Sequence, residues 1–275
     1  MQRKDIVLAG GRSIAFDIAR NPDQGAFFVL AVRKSGSTIL NNIVRALAQF
    51  NGLHFVDVAG TFFEHNVMVG DWRRSAAINE LIAGGNVYGG FRNMPFAFAA
   101  NLQFRSSKKL LLVRDPRDAL VSEYFTNAFS HPIPPPSPEG DEVTRLMARQ
   151  REQALSLGID AYMRTRKPNE MNETMLDFAD LLDDPNLALL RYEDVILNKT
   201  GLIATICAHF GWTAHPDVVE NILSWADVVP EQEDPTAFIR KVIPGDHRVK
   251  LSAATIAHLD MILEPSMERF GYHRA

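Results

Sequence analysis

Seven apolar residues in unbroken succession, Ala26 to Val32 ("AFFVLAV"), run directly into the polar turn "RKSGST" (33–38), and apolar residues then recur at Leu40, Ile43, Val44 and Leu47. A continuous apolar run of that length suits a strand covered on both faces, as in the middle of a parallel sheet, and the spacing after the turn is that of a helix. A strand, a tight turn and a helix in direct sequence cannot stand alone, because the strand needs neighbours and layers above and below it. The pattern recurs. "KKLLLV" (108–113) precedes "RDPRDALVSEYFTNAF", with Asp115 placed as N-cap, Pro116 as first helical residue and Asp118 as first-turn carboxylate. "NLALLRYEDV" (186–195) predicts a third strand, followed by a helix from about Lys199 to Phe210 that Gly211 stops. The alternation predicts an α/β fold of three layers, a mostly parallel β-sheet flanked by helices, with ligands at the carboxyl ends of the strands, where both turns fall.

Other features narrow the class. A chain of 275 residues that is 46% hydrophobic can build a sizeable core without staples, and we read it as one domain over 1–275. A net charge of −4 gives no global field towards nucleic acid or an anionic bilayer. The single cysteine, Cys207 in "LIATICAHF", reads as core packing and fits a cytoplasmic location; no run of about 18 apolar residues predicts an anchor or membrane span. The eight histidines are scattered without metal-ligand spacing. Two stretches break the rhythm: the proline-rich 130–142 and the irregular 228–251. From Ser252 to Tyr272 a closing amphipathic helix is expected, bent or ended near Pro265.

The turn 33–38 looks like a phosphate-binding loop with its lysine displaced. In the nucleotide triphosphatase pattern G-x-x-x-x-G-K-[ST], taking Gly36 as the second glycine puts Ala31 at the first and Ser37 at the lysine. Lys34 instead precedes Gly36, still at the mouth of a strand-to-helix turn whose free N–H groups favour an anion. The loop is therefore of P-loop nucleotide-binding type without the means for ATP hydrolysis. The plain alternative is a solvated turn with a serine cap. Arg114, at the end of the second strand, and Ser122, eight residues on, form a second anion grip; taken singly, Arg114, Arg117 and Asp118 read as a solvated helix entrance with a local ion pair.

With these stretches together, the chain resembles the sulfotransferases that use 3′-phosphoadenosine 5′-phosphosulfate (PAPS). Their loop P-K-S-G-T-T-W aligns with Arg33, Lys34, Ser35, Gly36, Ser37, Thr38 and Ile39, and their 3′-phosphate arginine and serine with Arg114 and Ser122. Their Tyr-Glu-Asp stretch is matched by Tyr192, Glu193 and Asp194. In F-x-R-K-G-x-x-G-D-W-K, Phe238, Arg240, Lys241, Gly245 and Asp246 agree, while Val242 and His247 depart.

The resemblance implies in-line transfer of a sulfuryl group from PAPS to a hydroxyl or amine, without metal, leaving 3′,5′-adenosine bisphosphate (PAP). Lys34, the loop amides and the Ser37 and Thr38 hydroxyls would stabilise charge on the bridging oxygen and 5′-phosphate. Arg114, Ser122, Arg240 and Lys241 would hold the 3′-phosphate, and Trp225, Phe238 and Tyr192 the adenine. In the family's K-T-H-x-P stretch a histidine is the general base; "FRNMP" puts Asn93 there, which cannot accept a proton. Other branches use a glutamate, so Glu64 is favoured as catalytic base, then His65, with Asp57 and His54 nearby, and Arg92 as a further cation. The segment 60–75 and the loop after Phe129 are expected to line the pocket of a small-molecule, carbohydrate or peptide acceptor; abundant Phe and Met suit a partly apolar one, Arg73 and Arg74 instead an acidic or carbohydrate one, and the choice stays open. The family's dimer motif is not reproduced in "RVKLSAATIAHLD", which leaves the oligomeric state open. Two other readings stand beside this one. A P-loop kinase or nucleotide hydrolase would need Mg²⁺ and the missing lysine; a non-catalytic adenosine-bisphosphate-binding module would not need a base.

Overall fold

The computed structural model describes residues 1–135 and 141–274, so residues 136–140 of the proline-rich stretch lie outside the described residues. Strands β1 (Gln2–Val7) and β2 (Ser13–Ile18) form an antiparallel hairpin. The other five, β3 (Phe27–Ala31), β4 (His54–Asp57), β5 (Asn86–Phe91), β6 (Lys108–Val113) and β7 (Leu187–Arg191), form one sheet in the order β4-β5-β3-β6-β7. Every neighbouring pair in it is parallel.

The apolar run is central because both of its faces are filled. Phe28, Leu30 and Val32 enter one core with Tyr88, Leu111 and Val113, whereas Val29 and Ala31 enter another with Val87, Leu110 and Leu112. This two-residue alternation between two cores is what a doubly covered strand requires. Helices α1 (Ser37–Phe50), α2 (Pro116–Phe125), α3 (Glu142–Leu157), α4 (Lys167–Leu176), α5 (Lys199–Phe210), α6 (Pro216–Ala226) and α7 (Ala253–Phe270) are the longer ones. On one side α1, α5 and α6 contribute Leu40, Ile43, Ile206 and Ile222; on the other α2, α4 and α7 contribute Leu120, Met171 and Leu263. Each such side chain, fully buried, contributes about 1.5–3 kcal/mol. The three-layer α/β arrangement is thus the one expected.

Three details differ from the expectations. The predicted third strand stops at Arg191, and Tyr192–Val195 turns into a helix, which brings Tyr192 back towards the first loop. Helix α7 begins at its serine cap, with Ser252 accepting from the Thr255 N–H, but it runs through Pro265 to Phe270. There Ser266 N–H donates to Asn172 Oδ1 of α4 at 3.1 Å, so a side chain supplies the bond beside the proline. Finally, β1, β2, β4 and β5 had no counterpart among the predicted strands.

Candidate active site

The turn after β3 is built to leave its amides free. Gly36 has φ 92° and Lys34 φ 66°, both left-handed. A Cβ at Gly36 would also sit a tight 3.2 Å from the Tyr192 ring, so the positive φ favours glycine and the close ring adds to it. The buried Ser35 hydroxyl donates to the carbonyls of Val32 (2.6 Å) and Leu112 (3.1 Å), tying the loop to β3 and β6. Among the described residues the N–H groups of Gly36, Ser37 and Thr38 meet no acceptor, and α1 starts without a side-chain cap. Three free donors at the positive end of a 14-residue helix are an arrangement that favours an anion.

Cations close over it from three strand ends. Lys34 Nζ donates to Thr126 Oγ1 at 2.7 Å. Loss of hydration brings its pKa down to about 8; Glu123 resists this, while Arg92, Arg114 and Arg240 add to it. Arg92, just after β5, donates from Nε to Ser37 Oγ at 3.2 Å. The β5 end is shaped for this by Gly90 at φ 82°, where a Cβ would strike Asp57 Oδ1 at 1.9 Å. Arg114, at the end of β6, reaches the carbonyl of Lys34 with Nη1 at 3.5 Å and lies over the Tyr192 ring at 4.2 Å. Its Nε is buried without a partner among the described residues. The two expected anion grips therefore share one cleft, with Ser122 half-buried two turns along α2.

The entrance to α2 is not the solvated one expected. Arg114, Arg117 and Asp118 are 5%, 2% and 1% exposed, and each has a distinct task. Asp115 caps the helix and chelates Arg117, which also binds Asp260 of α7 at 2.8 Å. Asp118 accepts from Gly245 N–H (2.6 Å), His247 N–H (2.9 Å) and His247 Nδ1–H (2.7 Å), and faces Arg114 Nη2 at 3.6 Å. Burial pushes its carboxyl up, but the His247 bonds and Arg114 more than reverse this and hold it well below the usual carboxylate range. Asp118 thus staples segment 240–247 against Arg114. In that segment Arg240 pairs with Glu233 and Asp246 and stacks 4.1 Å over Phe125, and Lys241 binds Asp246 at 2.8 Å.

With that geometry in place, the comparisons with known proteins are decisive on the family. The model of the sulfotransferase domain matches residues 24–271. The chain belongs to the sulfotransferase family. Its chemistry is accordingly the transfer of a sulfuryl group. No curated protein matches it in sequence. Among solved structures, mouse sulfotransferase SULT7A1 complexed with PAP shares the fold at 14% identity, TM-score 0.57, with 95% of each chain covered. A sulfotransferase from Alicyclobacillus acidocaldarius (14% identity, TM-score 0.47, covering 92% of this chain and 95% of its own) and retinol dehydratase in complex with androsterone and inactive cofactor PAP (15%, 0.47, 97% and 90%) are more distant in shape.

The remaining expected site residues of this sulfotransferase fall into two groups. Tyr192 joins the cleft, but its ring is packed between Gly36 and Arg114 and its hydroxyl donates to the Val242 carbonyl at 2.7 Å. Ile39, in the family's tryptophan position, packs with Tyr192, Ile196 and Val242. Phe238 stands 74% exposed on the segment that carries Arg240. The Arg33 side chain is engaged away from the loop amides, and Trp225 is not brought to the loop. Arg33 turns into a polar network, bonding Glu123 Oε2 (2.8 Å) and Thr174 Oγ1 (2.7 Å). Trp225 lies with Asn42, Arg45, Ala46 and Gln49 against α1, beyond its first turn.

On the acceptor side, Glu64 is exposed at the end of the helix Val58–Glu64, and His65 Nδ1 bonds the Thr61 carbonyl at 2.9 Å. Arg73 is paired with Asp177 at 3.0 Å and stacks on Phe96, and the exposed Arg74 stacks on the same ring. Sequence reasoning missed Thr126, His131 and the clamp at Asp118. His131 had one visible signal: it precedes Pro132, where a helix usually ends. Among the described residues there is no group of three or more side chains fit to hold a metal, and no helix long and apolar enough to cross a membrane.

Proposed function

We propose that this sulfotransferase binds PAPS across the cleft between the 34–38 loop and Arg114, and passes its sulfuryl group in line to a hydroxyl or amine acceptor. The observation that carries this reading is the convergence of two anion grips, three free loop amides and the Arg114 guanidinium, with Arg114 touching Lys34 itself. The 5′-phosphosulfate lies on the amides of Gly36, Ser37 and Thr38, with Lys34 and Arg92 on the bridging and transferring oxygens. Charge grows on the 5′-phosphate as the S–O bond lengthens, and fixed donors and cations stabilise that charge more than the ground state. Arg114, Ser122, Arg240 and Lys241 take the 3′-phosphate, which satisfies the orphaned Arg114 Nε. Phe238, exposed and beside this set, covers the adenine.

The acceptor enters from the side of Phe63 and the turn after α2, where apolar rings favour a small organic molecule over a highly charged one. One domain carries both pockets, and we place its work in the cytoplasm, in keeping with the free Cys207. Calorimetric titration with PAP, and separately with ATP plus Mg²⁺, tests the donor. Tight PAP binding with weak ATP binding is expected, and the reverse order would favour a kinase or hydrolase instead.

A further inference from the structure

The residue that removes the acceptor's proton is not among those the family pattern marks, because Asn93 occupies the histidine position. The other nearby groups are partly engaged or turned to solvent. His65 Nδ1 bonds Thr61, His54 Nε2 faces the Asp17 carbonyl at 3.0 Å, and Asp57 Oδ1 accepts from Gly60 N–H at 2.8 Å while Oδ2 faces Arg45 at 3.5 Å. Glu64 is exposed at a helix end.

We propose that His131 is the general base of this enzyme, a catalytic residue delivered by the turn that extends α2; the proposal rests on the sulfuryl-transfer reading above. Thr126 links His131 to the donor loop from both ends: its hydroxyl accepts from Lys34 Nζ at 2.7 Å, and its carbonyl accepts the His131 N–H at 2.9 Å. From α3, Arg151 bonds the carbonyls of Asn127 (3.3 Å) and His131, which fixes the backbone of the turn. The imidazole lies nearly parallel to Phe63 at 6.3 Å and 24°, with no hydrogen bond to either ring nitrogen among the described residues. An oriented ring with free nitrogens, on a turn that is bonded to the lysine meeting the leaving group, is what proton removal from an acceptor requires.

The surroundings set the charge state. Burial, then Lys34 from the loop, Arg92 from the end of β5 and Arg151 from α3, bring the His131 pKa down to about 4, so the ring is neutral and able to accept a proton at pH 7. Binding of a polyanionic donor offsets Lys34 and Arg92 and moves that value back up, so the base strengthens when the sulfuryl group is in place. In the step itself the acceptor oxygen's electron pair forms the new O–S bond. The S–O bond to the 5′-phosphate breaks, with its pair remaining on PAP, and the acceptor proton passes to a His131 nitrogen and then to water.

The test compares His131→Gln with the parent enzyme, using PAPS with an aliphatic alcohol and with 4-nitrophenol, whose oxygen is already largely ionised near neutrality; PAPS hydrolysis by water replaces the alcohol if no alcohol reacts. The expected result is a loss of about a hundredfold or more with the alcohol or water and a much smaller loss with 4-nitrophenol. The acid limb of the kcat/KM profile should disappear and the PAP Kd should not change. No loss, or equal losses with both acceptors, overturns the assignment of His131. Failure of both proteins to bind PAP would overturn the donor reading instead.

Discussion

Replacing Asp118 by asparagine changes no shape, yet it removes a buried charge and reverses one hydrogen bond. Oδ2 accepts the Gly245 N–H at 2.6 Å and faces Arg114 at 3.6 Å, while Oδ1 accepts both His247 donors. An amide nitrogen in the Oδ2 position would point a donor at two donors, and the flipped amide would do the same to His247. A hydrogen bond to a charged acceptor contributes about 1.5–3 kcal/mol. Leaving the Arg114 guanidinium buried without its counter-charge brings the total loss to about 3–5 kcal/mol. The fold survives if its stability is in the usual range of about 5–15 kcal/mol. At about 2–4 °C per kcal/mol, the Tm falls by roughly 10 °C. Because the same carboxylate staples the segment bearing Arg240 and Lys241, the PAP Kd rises on the order of tenfold, whereas AMP, without a 3′-phosphate, is bound almost as before. Calorimetric melting and titration check both. A variant that melts within about 2 °C of the parent and binds PAP as tightly would refute the clamp.

Three further outcomes follow from the same geometry. Lys34→Met lowers kcat by about 10²–10³ without lowering Tm, because a lysine whose pKa is depressed to about 8 is a charge the fold tolerates rather than one that stabilises it; single-turnover kinetics and melting measure these. Arg114→Ala weakens PAP binding roughly ten- to a hundredfold with little effect on AMP, read by calorimetry. Asp118, Asp246 and Glu233 all have folded-state values held below the ordinary ones, so their stabilisation is complete above about pH 4–5 and is lost as the pH falls through the folded values. Urea midpoints should therefore drop as the pH falls below about 5, and less steeply in Asp118→Asn.

How far the sequence revealed this site depended on whether a function was written in one stretch or in two. β3, its turn and α1 were legible because burial on both faces, the glycine and the helical period lie within about twenty consecutive residues, and each implies the next. Asp115 and Pro116 were legible for the same reason: a cap and a first-turn proline are local. β5 was hidden because "NVYGGF" carries two glycines that weaken any strand signal, and the reason for Gly90 is a carboxylate on another element, Asp57. Asp118 was misread by the same logic. A first-turn carboxylate is ordinarily solvated, and only the return of residues 245–247, more than a hundred positions later, buries it. His131 is the sharpest case. Nothing between Ser122 and Pro132 specifies whether the chain leaves α2 outward or folds back, and what folds it back is a set of tertiary bonds, Lys34 to Thr126 and Arg151 to the turn's carbonyls. The donor half of the site is thus written locally, since any phosphate can be met by a loop and a helix end. The acceptor half is assembled from elements distant in sequence, so its base is the part least open to reading along the chain.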